Sequence, residues 1–282
     1  MANLQSIRRR IASVKSTQKI TRAMKMVAAA KLRRAQEAIW NTRPYAYAMR
    51  DMTNTLLLRA DRESHPLMQP GTGEKVLLIV VTSDRGLCGG FNANLVNEAM
   101  RFVRGSEAPV ELIVLGRKGI DACRRRPVNI RSTHSGLAEK SPVNAATRIV
   151  DEAVQAFTDG EYKEVYCLYN EFKSAMSQKL TVERLLPYAP PEDTEAASRD
   201  YIFEPSEEAI LFSLLVNNIH VQLFRILQES AASEQGARMA AMDLATQNAG
   251  DVIARLTLNY NRVRQDAITK EIVEVISAAE AV

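Results

Sequence analysis

From Met1 to Arg43 the chain contains neither glycine nor proline, and after Pro205 proline does not occur again. The first stretch is rich in Ala, Lys, Arg, Gln, Met and Leu, which lose little side-chain freedom in a helix. Helix formers also run from Glu207 to Val282, interrupted only by Gly236 and Gly250. At a rise of ~1.5 Å per residue that second helix would extend on the order of 110 Å, far beyond the diameter of a small domain. It cannot lie in a core of its own, so it needs a lengthwise partner.

The apolar spacing identifies that partner. In the C-terminal stretch Ala249, Ile253, Leu256, Tyr260, Val263 and Ala267 alternate steps of 4 and 3, the seam of a coiled coil. In the N-terminal stretch Leu4, Ile7, Ile11 and Val14 do the same, and Met24, Ala28, Leu32, Ala35 and Ile39 resume nearly the same stripe. Thr17, Gln18 and Thr21 interrupt it. Pro44 is read as a kink within the first helix, which continues through Leu58. The two terminal helices are expected to pair in space as an antiparallel coiled coil.

Between them the pattern changes. Val76 to Val81 is a continuous branched and leucine run, the mark of a strand buried on both faces. Val110 to Leu115 and Val165 to Tyr169 repeat it, with helical stretches near Asn92 to Arg104 and Pro142 to Phe157. Leu180 to Leu186 adds an edge strand, and Pro187 to Asp200 reads as a polar surface loop. Strands alternating with helices predict a mostly parallel sheet. The fold class is α/β: a long antiparallel coiled coil of the N- and C-terminal helices with an inserted Rossmann-like α/β domain. Its divisions are 1–60 for the first helix, 74–200 for the α/β domain and 207–282 for the last helix.

Several function classes fall away. Cys88, Cys123 and Cys167 are far apart, with no CxxC pair and only three histidines as co-ligands, so neither a zinc site nor a disulfide framework is expected. No stretch approaches ~20 consecutive apolar residues, so no helix spanning a bilayer is expected. No continuous apolar core follows Arg8-Arg9-Arg10, so the start is not read as a signal peptide. A cytosolic or peripherally attached protein is expected. The net charge of +4 does not choose between acidic protein, nucleic acid and anionic membrane as partner.

Two segments invite a chemical reading. Thr82 to Asn92, with Gly86, Gly89 and Gly90, is a glycine-rich turn leaving a buried strand, where α/β folds place phosphates. It lacks both the GxGxxG order and the GxxxxGK[ST] of a P-loop, so it is read as a tight connection. Cys88 has no assignable base, His134 reads as a surface-loop histidine, and the carboxylates form no acid-base pair. No cofactor is expected. The second segment is the basic run from Arg8 to Arg34, which precedes the first acid, Glu37. A solvated face, an acidic protein partner and nucleic acid are its three readings, and the absence of aromatics before Trp40 counts against nucleic acid.

Four segments carry a resemblance to a known family. Ile20-Thr21-Arg22-Ala23-Met24-Lys25-Met26-Val27-Ala28-Ala29-Ala30-Lys31-Leu32 resembles the N-terminal signature of ATP synthase gamma subunits. Ser83 to Asn92, Ser233 to Met242, and Tyr260-Asn261 through Arg264-Gln265 to Ile272 resemble further gamma motifs, in order and across nearly the whole chain. The resemblance implies a non-catalytic central-stalk rotor subunit, present once per complex, on the cytoplasmic side of a bacterial inner membrane. It implies contact with the alpha and beta subunits of the catalytic hexamer, the epsilon subunit and the c-ring. A basic coiled-coil nucleic-acid binder is the alternative.

The resemblance also implies faces. Arg8, Arg9, Arg10, Met24, Lys25, Arg33, Arg34, Gln265, Thr269 and Glu271 match positions that meet the beta and alpha subunits. Ile272, Val275 and Ile276 match an apolar bearing tip, and Tyr201, Phe203 and Glu204 a foot near epsilon and the c-ring. No cysteine insertion of the chloroplast type is recognisable, so thiol regulation is not carried over.

Overall fold

The computed structural model describes residues 4–57, 65–136, 142–189 and 207–280. Helix α1 (Leu4–Leu57) and helix α5 (Glu207–Glu280) have 54 and 74 residues. Pro44 lies inside α1, as expected. Its missing N–H leaves the carbonyl of Trp40 without the usual helical donor. Both residues are exposed, so water can satisfy that group. The chain divides into two compact units, Met1–Ala28 with Met239–Val282, and Ala29–Arg238.

In the first unit α1 and α5 run antiparallel. Lys25 Nζ lies 2.6 Å from Asp243 Oδ1, the hydroxyls of Thr21 and Thr246 are 2.8 Å apart, and Gln18 Nε2 donates to the Thr246 carbonyl at 3.3 Å. The expected seam is present: Ala249 is buried, Ile253 is half-buried, and Leu256, Tyr260, Val263 and Ala267 are half-buried between exposed neighbours. Across from them, Ile7 is buried and Leu4, Ile11 and Val14 are half-buried. Gln18 and Thr21 correct one expectation, since they do not break the stripe but form its polar stretch. Because both helices rise equally per residue, this register brings the start of α1 opposite Val263 and Ala267. Every residue of α5 from Ile268 to Ser277 is exposed.

The second unit is built on a five-stranded sheet of order β3-β2-β1-β4-β5. Its strands are β1 (Lys75–Val81), β2 (Val110–Leu115), β3 (Asn129–His134), β4 (Tyr162–Phe172) and β5 (Gln178–Leu186). The first four are parallel and β5 is antiparallel to β4. Side chains alternate across a strand. Thus Leu77, Ile79 and Val81 join one core, with the later part of α1, helix α4 (Pro142–Thr158) and the earlier part of α5. Val76, Leu78 and Val80 join the other, under α2 (Phe91–Gly105) and α3 (Arg117–Cys123). Two buried faces explain why the sequence of β1 shows no polar alternation. His134 is corrected from a loop residue to the last residue of edge strand β3, with its Nε2 3.3 Å from Ser132 Oγ and 3.5 Å from Glu152.

Candidate functional site

The turn between β1 and α2 is tied to its surroundings by hydrogen bonds. The Ser83 N–H donates to Asn92 Oδ1 at 2.9 Å, and Asp84 accepts the N–H groups of Arg117 and Gly136, each at 3.0 Å. Thr82 Oγ1 donates to the Leu115 carbonyl at 2.6 Å and accepts the Gly119 N–H at 2.9 Å. The carbonyls of Arg85 and Gly86 turn towards Arg238 of α5, whose Nη2 lies 3.3 Å from each and 2.6 Å from Glu234. A phosphate cradle needs converging N–H groups. Here carbonyls converge on a guanidinium, the opposite polarity. Burial pushes the Cys88 thiol pKa up, against nucleophile formation. Among the described residues no group of His, Cys, Asp and Glu is placed to hold a metal ion.

The contact therefore joins two of the family-like segments, Ser83 to Asn92 and Ser233 to Met242. Burial raises the Glu234 pKa, with Arg238 opposing. Sequence reading treated these segments separately, and the i,i+4 spacing of Glu234 and Arg238 was the one signal of a pair.

The expected partner-contact residues lie mostly on open helix faces. Arg8, Arg9, Arg10, Arg33 and Arg34 are exposed, and Met24 is half-buried. Lys25 differs from them, because Asp243 already holds its ammonium within the first unit. On α5, Gln265, Thr269 and Glu271 are exposed. Ile272, Val275 and Ile276 are 54%, 69% and 53% exposed, and their i,i+3,i+4 spacing sets them on one face. Tyr201, Phe203 and Glu204 lie outside the described residues.

Sequence reading missed a buried ionic cluster in the second unit. Arg225 is 5% exposed and Glu229 1%. Arg225 Nη2 donates to both carboxylate oxygens of Glu183 on β5 at 2.8 Å, and its Nε donates to Gln222 at 2.9 Å. Its Nη1 reaches Glu229 at 3.3 Å and Tyr169 at 3.4 Å. Arg43 of α1 donates to Glu229 at 3.3 Å and to the Phe172 carbonyl at 3.0 Å. Burial opposes the Arg225 charge, but Glu183 and Tyr169 more than offset it and raise its pKa. Only the Gln222, Arg225, Glu229 spacing in an apolar stretch hinted at this cluster, because its other members come from distant strands and from α1.

Comparison with known proteins follows the same architecture. A family model described as ATP synthase matches residues 3–282. The ATP synthase gamma chain of Geotalea daltonii is 49% identical over 286 residues, covering 100% of this chain and 99% of the relative. That of an Anaeromyxobacter species is 48% identical over 288 residues, with 100% and 99% covered. Among solved structures, the central stalk and c-ring of the Tetrahymena thermophila mitochondrial ATP synthase contains a chain of TM-score 0.62 and 27% identity, covering 80% of this chain and 99% of that one. A chain of the Euglena gracilis mitochondrial ATP synthase rotor has a TM-score of 0.68 at 20% identity, covering 94% and 98%, which bears on the fold. The nucleic-acid alternative finds no support among these relatives. With a full-length family match and relatives near half identity, the chain belongs to the ATP synthase gamma-chain family, the non-catalytic rotor subunits of the F-type enzyme.

Proposed function

We propose that the chain carries c-ring rotation to the beta subunits, one copy per complex, at the cytoplasmic side of a bacterial inner membrane. The observation that carries this reading is the helix pair, whose seam ends at Ala267 while α5 continues with an exposed apolar face. Such a face is suited to a rotating contact, since apolar attraction is weakly directional and ion pairs would trap particular angles. In this reading residues 1–60 and 207–282 are the driving helices and 74–200 the foot. Arg8, Arg9, Arg10, Arg33 and Arg34 meet acidic surface on the hexamer. Met24, Gln265, Thr269 and Glu271 complete that contact, and Lys25 contributes to it only after leaving Asp243. Ile272, Val275 and Ile276 turn in an apolar collar, and Tyr201, Phe203 and Glu204 meet epsilon and the c-ring.

Rotation of a single labelled complex tests the proposal. Cys88, Cys123 and Cys167 are buried, so a Glu107→Cys substitution at an exposed loop gives one reactive thiol for a bead. With the chain assembled into an alpha–beta hexamer, ATP is expected to drive the bead in one direction. ATP hydrolysis accompanied only by undirected fluctuation of the bead would overturn the proposal.

A further inference from the structure

The buried ionic cluster is more than the core needs for cohesion. Leu211, Leu214, Leu215, Ile219, Leu223 and Ile226 already hold α5 to the sheet through apolar burial. Apolar burial and interdigitated packing resist separation and large rotations of the helix, yet the attraction itself is weakly directional and does not by itself select one exact register. Charge-assisted hydrogen bonds do select one, because their strength depends on distance and angle.

The Arg225 cluster supplies these directional bonds at one level of the second unit, and it ties four elements. Arg225 and Glu229 come from α5, Arg43 from α1, Tyr169 from β4 and Glu183 from β5. Tyr169 Oη donates to Glu183 at 2.8 Å, so strand and helix share one carboxylate. Gln222 extends the tie by donating to the Ala46 carbonyl of α1 at 3.0 Å. Two cations and two carboxylates balance, and removal of either cation leaves a carboxylate without its full charge partner.

We infer that Arg225, Glu183, Glu229 and Arg43 are a register lock, positioning residues that keep the two terminal helices from slipping against the sheet under torsional load. The inference rests on the proposed rotor function, which supplies the torsional load that such a lock would resist. It gives the buried charges a mechanical role, consistent with the use of buried polar groups to fix register.

The test uses the assembled enzyme in membrane vesicles, where ATP hydrolysis and proton pumping are measured together while the opposing proton gradient is varied. With Arg225→Met, hydrolysis in uncoupled vesicles is expected to stay near wild type. Protons pumped per ATP should fall to about half or less as the opposing gradient grows, because the apolar contacts and the neutral and Arg238 hydrogen bonds that remain fix the register less firmly than the full cluster. Arg225→Lys, which keeps the charge, should recover part of the loss. An assembly defect would instead lower hydrolysis and pumping in proportion at every load. Where Arg225→Met does not assemble, Arg43→Gln decides, since that side chain is 27% exposed at the edge of the cluster. An assembled variant whose pumping per ATP matches wild type at every load overturns the lock. Failure of the wild-type enzyme to pump would reject the rotor function itself, a separate outcome.

Discussion

Arg238 sits on α5 but serves the turn after β1, and its removal should show how much that turn depends on it. Its guanidinium bonds the Arg85 and Gly86 carbonyls and lies 2.6 Å from Glu234, with side chains 10% and 17% exposed. Arg238→Met should cost about 3 kcal/mol near pH 7, because a buried carboxylate is left without its cation. Urea unfolding followed by circular dichroism measures this, and a loss below about 1 kcal/mol would show that water replaces the guanidinium. The pH dependence has a definite sign. Burial raises the Glu234 pKa above its ordinary 4.5, so the native state holds a proton that the unfolded chain releases. Its stabilising effect is full below 4.5 and is lost as pH rises through the folded value. Removing Arg238 widens that window, so the deficit of the variant should shrink as pH falls from 7 towards 5. Glu234→Gln combined with Arg238→Met should abolish this pH dependence.

The two glycines of α5 show how one element can hide different constraints behind one residue type. Both read as equal interruptions in sequence, yet a Cβ at Gly236 would sit 2.8 Å from the Ala175 carbonyl oxygen, where the helix meets the β4–β5 connection. At Gly250 a Cβ would meet only the flexible end of Gln18, at 3.2 Å. Alanine gains about 1 kcal/mol of helix propensity at either position. Gly250→Ala should therefore raise the melting temperature slightly or leave it unchanged, whereas Gly236→Ala should lower it, since backbone must move. Equal shifts in a thermal melt would count against the close approach. The same distinction marks what was legible in sequence. Helix pairing and the β1, β2 and β4 strands were readable, because burial there follows a period of 3.5 or a continuous apolar run. β3 was not, because the edge strand Asn129-Ile130-Arg131-Ser132-Thr133-His134 has one apolar residue and takes its pairing from β2. Gln18 and Thr21 looked like a break because apolar spacing alone does not reveal that polar side chains can bond across a seam.

For the whole molecule, the division of labour lies between contacts made within the chain and surfaces left for other chains. None of its described helices is long and apolar enough to cross a membrane, and its cysteines are buried, so its exposed apolar residues on α5 stand out. The family motifs made these residues legible as a region, while their individual roles depend on partners that sequence periodicity does not contain. Ile272→Asp separates the two kinds of contact. In the isolated chain position 272 is already 54% exposed, so a charge there meets water and the melting temperature should stay within about 2 °C of wild type. If the tip turns in an apolar collar, as proposed, the same carboxylate would enter it in the assembled complex, at a cost of about 2 kcal/mol or more. Assembly with the alpha–beta hexamer should weaken accordingly, roughly thirtyfold or more in affinity. Glu274→Ala on the same helix end, which removes an exposed i,i+4 partner of Lys270, should change affinity by less than about threefold. Equal affinities for Ile272→Asp and Glu274→Ala would mean that the tip is solvated in the complex, and the collar would have to be abandoned.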